Sequence, residues 1–157
     1  MHVILLEFLG IKRIDVIEIN EERREYLRKF SVANILNPQE ERKKDYDIAI
    51  ICAANLQAIQ EGFKRIRRGG TLSIFAQTPE GTKMEIFPNQ IYFECTLMGT
   101  YSSSPIEQRE ILELLKEGKI KTSLLITHIF PLSQIQKAIN IALEGKKSCK
   151  IIIHPQE

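Results

Sequence analysis

An acidic residue near the end of a strand-like segment is the first candidate for chemistry in this sequence. Glu18 lies close to the carboxyl end of the apolar segment 13–19, and Asn20 then caps a predicted helix that runs from Glu21 to about Phe30. In a nucleotide-binding α/β unit, an acid at this place accepts hydrogen bonds from the ribose hydroxyls. The alternative interpretation is an ordinary charged residue at a strand end.

Two neighbours of Glu18 favour the ribose interpretation. Ile19 occupies the position just after the acid, where a protein that binds a 2′-phosphate often has an arginine. Arg23 lies one turn into the following helix, from which its side chain can reach the ribose or stack on the adenine. The carboxylate would repel a 2′-phosphate, so the sequence predicts a preference for NAD over NADP.

A glycine-rich loop is missing from the sequence. A dinucleotide fold carries Gly-x-Gly-x-x-Gly between its first strand and first helix, so that the backbone can approach the pyrophosphate. No such run occurs here, and the chain opens at Met1 directly in a helix-like segment, residues 2–9, that Gly10 ends. We expect the first strand and its glycine loop to lie upstream of Met1.

The elements that position these residues alternate between strand and helix, which is typical of a parallel sheet with crossover helices. After residues 13–19, strands are predicted at residues 34–37, 47–52, 71–76, 95–100, 125–130 and 150–153. Helices are predicted at residues 56–66, 105–116 and 134–144, the last two opened by capping boxes at Ser104 and Ser133. Residues 68–70 form a turn, and residues 39–44 form at most one helical turn. Residues 1–157 are therefore predicted to form one domain, a truncated, doubly wound α/β sheet of the Rossmann type.

Composition is that of an ordinary globular protein and excludes several partners. The net charge of +2 gives no electrostatic basis for binding nucleic acid or an anionic membrane. The apolar runs are too short for a membrane span, and no signal-peptide pattern is present. Cys52, Cys95 and Cys149 are odd in number and widely spaced, which predicts reduced, buried thiols in a cytoplasmic protein. The clusters 21–24 and 42–44 are interpreted as solvated charged faces.

Four stretches of the sequence together carry a family resemblance. They are VIEINEER at residues 16–23, RGGTLSIF at 68–75, LITHIFPL at 125–132 and KIIIHP at 150–155. With these stretches in the family's order, the sequence resembles, over nearly its whole length, the cofactor half of the medium-chain, zinc-dependent alcohol and polyol dehydrogenases, especially the sorbitol and threonine dehydrogenases.

The resemblance implies contacts with the adenosine part of NAD. Glu18 would bind the ribose, and Arg23 would assist it. Cys52, Ala53 and Ala54 would pass against the adenosine at the end of a strand, with Ala54 standing where the family usually has glycine.

The resemblance also implies contacts with the rest of the cofactor. Gln77 and Thr100 would offer backbone carbonyls, and Ser102 a backbone N–H, to the nicotinamide carboxamide. Lys150 falls where a basic residue meets the pyrophosphate, and the strand at residues 95–100 would pair across a dimer two-fold.

Catalysis, by the same resemblance, belongs to an N-terminal zinc domain with its ligands and proton relay, none of which occurs here. His2, His128 and His154 show no metal spacing, and His128 is interpreted as a core or edge histidine. No residue of this chain is therefore assigned to catalysis or to metal. The expected function is the cofactor half of an NAD-dependent dehydrogenase for secondary alcohols, inactive alone and with weak or lost NAD binding. A non-catalytic nucleotide-binding or assembly module is the alternative, and a methyltransferase-like domain is a weaker one.

Self-association is the expected partner state, alongside a separate N-terminal catalytic domain. In the usual strand order the first strand lies between the second and the fourth. Its absence leaves residues 13–19 and 47–52 without a neighbour, so that either these strands pair directly or another chain covers their edges.

Overall fold

The computed structural model describes residues 1–29, 33–40, 45–120, 122–146 and 148–156. Its helices are α1 (His2–Phe8), α2 (Glu21–Arg28), α3 (Leu56–Arg65), α4 (Pro88–Tyr92), α5 (Pro105–Lys116) and α6 (Ile135–Glu144). Its strands are β1 (Asp15–Ile17), β2 (Asn34–Leu36), β3 (Tyr46–Ile51), β4 (Ile66–Ile74), β5 (Thr96–Gly99), β6 (Ile126–Pro131) and β7 (Lys150–His154). All the paired strands are parallel, which confirms the predicted α/β class.

The chain divides into two compact units. The first consists of Met1–Glu40 and Pro105–Glu157 and contains two parallel pairs, β1 with β2 and β6 with β7. The second, Glu41–Ser104, contains a three-stranded sheet in the order β3-β4-β5. The single-domain assignment of residues 1–157 stays a prediction. None of the helices in the described part of the chain is long and apolar enough to cross a membrane.

Capping residues set the helix ends that matter for the site in the first unit. Asn20 has extended backbone, and its side chain accepts a hydrogen bond from the N–H of Arg23 at 3.0 Å, so α2 begins at Glu21, a short junction after the end of β1. Glu21 and Glu22 occupy the first turn, where the helix dipole favours negative charge. Gly145 ends α6 with a φ of 62°, a conformation that glycine adopts without steric cost.

The core of the second unit lies where α3 packs on β3 and β4. It consists of the buried side chains of Ile51, Ile59, Ile66 and Leu72, and Leu72 has no exposed surface. Gly62 allows this close packing, because a Cβ at that position would lie 2.4 Å from the Cδ1 atom of Ile51. At Gly62 the backbone of α3 therefore approaches the sheet without an intervening side chain.

Several local predictions are corrected by the structure. The helix α6 is preceded by a 3-10 turn, Leu132–Gln134, and its N-cap is Gln134 without a side-chain hydrogen bond, so the capping box predicted at Ser133 is wrong. The turn predicted at residues 68–70 is a bulge inside β4, where Ile66 pairs with Tyr46 but Thr71 pairs with Ile48. The helix α4 was not predicted, although Pro88 at its first position is a known helix-start signal.

Burial also departs from the predictions. Cys52 and Cys149 are exposed and Cys95 is intermediate, so the cysteines are free as predicted but not buried. The strand β3 has an apolar sequence that is typical of a buried strand, yet Ile48 is exposed. Among the described strands β3 pairs with β4 alone, so its other edge has no strand partner in the described part of the chain. The charge cluster at residues 42–44 lies outside the described residues.

Candidate functional site

The Glu18 side chain is held beside the end of β1 by local hydrogen bonds. Its Oε1 atom accepts a hydrogen bond from the backbone N–H of Asn20 at 2.8 Å. The backbone N–H of Glu18 donates to the carbonyl of Leu36 in β2 at 3.1 Å. The side chain keeps 22% of its surface exposed, so the carboxylate is fixed but still reachable from solvent. Ile19, 82% exposed, adds an apolar surface next to it.

Arg23 is brought next to Glu18, as the sequence predicted, but it also has a second partner. Its Nη1 atom lies 4.0 Å from Glu18 Oε2, and its Nε donates to the backbone carbonyl of Gly145 at 2.7 Å. The guanidinium thus links the β1–α2 junction to the carboxyl end of α6. Because it is already held in place, Arg23 needs little ordering before it can meet a ligand that Glu18 binds.

Arg24 is the residue in this junction that sequence reasoning missed. It was grouped with the solvated charges of residues 21–24, but it is buried, with 8% of its surface exposed. Its Nη1 donates to the carbonyls of Glu18 at 2.8 Å and Ile19 at 2.9 Å. A signal was available, because Arg24 precedes Leu27 by three residues and shares the half-buried face of α2.

Six predicted site residues lie beyond the carboxyl ends of the strands of the second unit. The strands β3, β4 and β5 are parallel neighbours in which Ile51 pairs with Ile74 and Ile74 with Gly99, so their carboxyl ends share one edge of the sheet. This edge is continued by exposed residues that follow the three strands, namely Cys52, Ala53, Ala54, Gln77, Thr100 and Ser102. Ligands of open α/β sheets bind outside the carboxyl ends of their strands.

Two residues on this edge have unusual properties. Ser102 has a φ of 60°, an uncommon conformation for a residue other than glycine and one that is often found at binding sites. Cys52 is exposed as a residue, but desolvation of its sulfur raises the pKa of the thiol above its ordinary value. A raised pKa keeps the thiol protonated at neutral pH, so Cys52 is a poor nucleophile.

Lys150 and His128 belong to the β6–β7 sheet, a different sheet from the one that carries Glu18. Lys150 is exposed, its N–H donates to Leu125 at 2.8 Å, and its carbonyl accepts from the Thr127 hydroxyl at 3.2 Å. The His128 ring lies parallel to the Phe130 ring at 6.0 Å, and its Nδ1 is 3.0 Å from the Thr127 oxygen. These contacts suit the interpretation of His128 as a histidine within the packed sheet.

The chemistry available at Glu18 is hydrogen bonding to hydroxyl groups. A carboxylate with one oxygen bonded to a backbone N–H retains lone pairs for the vicinal hydroxyls of a ribose. The apolar surface of Ile19 beside it suits a flat base, so these residues fit the adenosine end of a dinucleotide. In the described part of the chain, no group of three or more His, Cys, Asp or Glu residues could hold a metal ion.

Comparison with known proteins identifies relatives that match almost the whole length of this chain. A family profile described as "Zinc-binding dehydrogenase" matches residues 1–117. An L-threonine 3-dehydrogenase from Caldanaerobacter subterraneus subsp. tengcongensis is 26% identical over 167 residues, covering 99% of this chain and 48% of the relative. The chain thus spans about half the length of the curated relatives that it matches.

Solved structures show the same fold. A short chain alcohol dehydrogenase from Escherichia coli CFT073, complexed with NADH, has a TM-score of 0.83 at 19% identity over 96% of this chain and 47% of that one. A Sinorhizobium meliloti 1021 protein bound to NADP has a TM-score of 0.83 at 19% identity, over 98% of this chain and 48% of that one. These likenesses confirm the Rossmann-like fold class.

Proposed function

The chain belongs to the zinc-binding dehydrogenase family, and on that basis we propose that it is the NAD-binding part of an alcohol or polyol dehydrogenase. The observation that carries the cofactor assignment is the Glu18 carboxylate, fixed by the Asn20 N–H at the end of β1 and accessible to a ligand. In this fold family an acid at that place accepts hydrogen bonds from the ribose hydroxyls of NAD.

Each of the remaining site residues has a role under this proposal. Arg23, held by Gly145, would support the adenosine end of NAD. The exposed edge at residues 52–54 would line the adenosine, and Gln77, Thr100 and Ser102 would hold the carboxamide through their backbone. Lys150 would meet the pyrophosphate. NAD supplies the acceptor of the hydride when it is bound, and the residues of this chain bind and orient it.

A non-catalytic nucleotide-binding or assembly module is the second candidate function. It shares the same cofactor-site residues, and it differs in having no zinc domain that acts on an alcohol. The three free cysteines suit a reducing compartment, so under either function we place the protein in the cytoplasm.

The chain is expected to bind NAD more tightly than NADP. The NADP phosphate would lie against the Glu18 carboxylate, and juxtaposed like charges cost several kcal/mol, so we expect at least about a tenfold difference in Kd. Calorimetric titration with each nucleotide, at low and at high salt, measures the difference. Equal or tighter binding of NADP would contradict the assignment of Glu18.

The chain alone is expected to have no alcohol dehydrogenase activity and no stoichiometric zinc. The family resemblance places the zinc ligands in a part of the enzyme outside these residues. The measurement is NAD reduction at 340 nm with a panel of secondary alcohols and polyols, together with elemental analysis of the purified chain. Turnover accompanied by one zinc per chain would show that this chain carries its own catalytic centre.

We further propose that the chain self-associates through strand edges of the second unit. Large apolar side chains are exposed along this sheet, namely Ile48 on β3, Leu97 and Met98 on β5, and Tyr101 just beyond β5. Exposed apolar strand edges are sites of pairing with another chain. Sedimentation velocity should show a dimer or a larger species for the wild-type chain. Met98→Lys should shift this species toward monomer. Lys83→Met, the reverse exchange of the same two residue types in a loop, should not change the distribution. A monomeric wild-type chain would refute this association.

A further inference from the structure

We propose that Arg24 is the positioning residue that presents the Glu18 carboxylate to the ribose of a bound nucleotide. The proposal rests on the proposed function, because it assigns to Arg24 a part in the same site. Arg24 does not touch the ligand in this account. It acts through the backbone of the β1–α2 junction.

The guanidinium of Arg24 is placed where a charge is unfavourable unless it is well bonded. Arginine is rarely buried without partners, because taking its charge out of water is costly. Arg24 is 8% exposed, and a single nitrogen, Nη1, bridges two successive carbonyls, those of Glu18 at 2.8 Å and Ile19 at 2.9 Å. Its backbone N–H donates to the carbonyl of Asn20 at 3.0 Å.

The second of these carbonyls connects Arg24 to the carboxylate. The carbonyl of Ile19 and the N–H of Asn20 belong to the same peptide plane, which is rigid. Arg24 binds the oxygen side of this plane, and the nitrogen side donates to Glu18 Oε1 at 2.8 Å. A rotation of the plane that broke the Arg24 bond would also turn the N–H away from the carboxylate. Arg24 therefore fixes the donor that orients Glu18.

The remaining contacts of the junction leave this role to Arg24. The N–H of Glu18 is held by Leu36 of β2, and the Asn20 side chain is engaged in capping α2 through Arg23. Neither contact is made by the carbonyl of Ile19 or the N–H of Asn20, the two polar groups of the plane, which bond to Arg24 and Glu18 instead. Arg23 approaches the carboxylate from the other side, at Oε2, and at 4.0 Å it is beyond hydrogen-bond distance.

The variant Arg24→Met tests the proposal, since methionine fills a similar volume without any donor. The matched control is Arg28→Met, which removes the same charge from the exposed end of α2. Nitrogen-15 NMR of the full chain reports the amide exchange of Asn20, and titration with ADP and with 2′-deoxy-ADP reports recognition of the ribose hydroxyl. Thermal unfolding verifies that each variant folds.

In the wild-type chain we expect ADP to bind about tenfold more tightly than 2′-deoxy-ADP, the effect of one hydrogen bond to a charged group. Arg24→Met should reduce this ratio toward one and expose the Asn20 amide to exchange, while the amide of Glu18, bonded to β2, stays protected. Arg28→Met should keep the wild-type ratio. If Arg24→Met fails to fold, Arg24→Lys tests the role of Arg24 with the same measurements. For this variant we expect a ratio of the two Kd values between that of the wild-type chain and one, because a single ammonium replaces the planar guanidinium donor.

The role of Arg24 and the ribose assignment of Glu18 can be overturned separately. A folded Arg24→Met chain, or in its place an Arg24→Lys chain, with the wild-type ratio and a protected Asn20 amide would overturn the role of Arg24 alone. A wild-type chain that does not distinguish ADP from 2′-deoxy-ADP would overturn the ribose assignment of Glu18, and the role of Arg24 with it.

Discussion

Replacing Leu72 by alanine should lower the free energy of unfolding by about 2–5 kcal/mol, the usual cost of removing a fully buried leucine side chain. Leu72 has no exposed surface, and it lies in the core that α3 forms with β3 and β4. The close approach at Gly62, where an added Cβ would lie 2.9 Å from Leu72 Cδ1, leaves α3 well packed against the sheet. The cavity would therefore not be filled by a small shift of the helix.

Urea unfolding followed by circular dichroism measures this effect. Leu143→Ala is the matched control, because the same atoms are removed from a side chain that is 81% exposed. The control should change stability by less than about 0.5 kcal/mol, as is usual for surface substitutions. Equal effects of the two substitutions would show that Leu72 is not in a packed core, and the arrangement of β3, β4 and α3 would be wrong.

Replacing Glu18 by glutamine should weaken NAD binding by about 10- to 100-fold, since hydrogen bonds to a charged group contribute about 1.5–3 kcal/mol. The amide keeps the shape of the side chain but loses the negative charge that strengthens the hydrogen bonds accepted from the ribose hydroxyls. The same substitution removes the repulsion of a 2′-phosphate, so the Kd values for NAD and NADP should converge. Glu22→Gln, with the same charge change in the exposed first turn of α2, should leave both Kd values unchanged.

Calorimetry with both nucleotides and both variants measures these effects. The decisive quantity is the ratio of the two Kd values, because a general loss of charge or stability would shift both nucleotides together. If Glu18→Gln and Glu22→Gln have the same ratio as the wild-type chain, Glu18 does not contact the ribose.

Local sequence signals were sufficient for most of the secondary structure. Asn20 caps α2 and α6 ends at Glu144 as predicted, since these effects depend on residues within one turn, Gly145 being the C-cap. The cap predicted at Ser133 failed because the chain enters α6 through a 3-10 turn, which moves the N-cap to Gln134. The pattern at Ser133 assumes that the chain is extended where it enters the helix, and the pattern alone could not exclude a 3-10 turn at that place.

The burial of particular residues could not be predicted from local patterns. Ile48 lies in an apolar run that is typical of a buried strand, yet it is exposed, because burial depends on which strands become neighbours. Arg24 shows the opposite error. It stands in a run of charges that is typical of a solvated face, and only the fold brings its guanidinium against the carbonyls of Glu18 and Ile19.

The part of the site predicted from Glu18 and Arg23 lies together in the structure, since both residues belong to one strand–helix junction. Thr100 and Ser102 were placed by family resemblance instead, and the structure adds the left-handed backbone of Ser102, which no residue type in that stretch signals. Their roles toward a cofactor stay predictions.

Nitrogen-15 NMR titration of the full chain with NAD tests the central claim most directly, because it maps the binding site without requiring activity. We expect shifts of the amides of residues 18–23, 52–54 and 100–102, and little change in the amides of α3. Shifts confined to other residues at about millimolar NAD would contradict the claim that this chain is the NAD-binding part of a dehydrogenase.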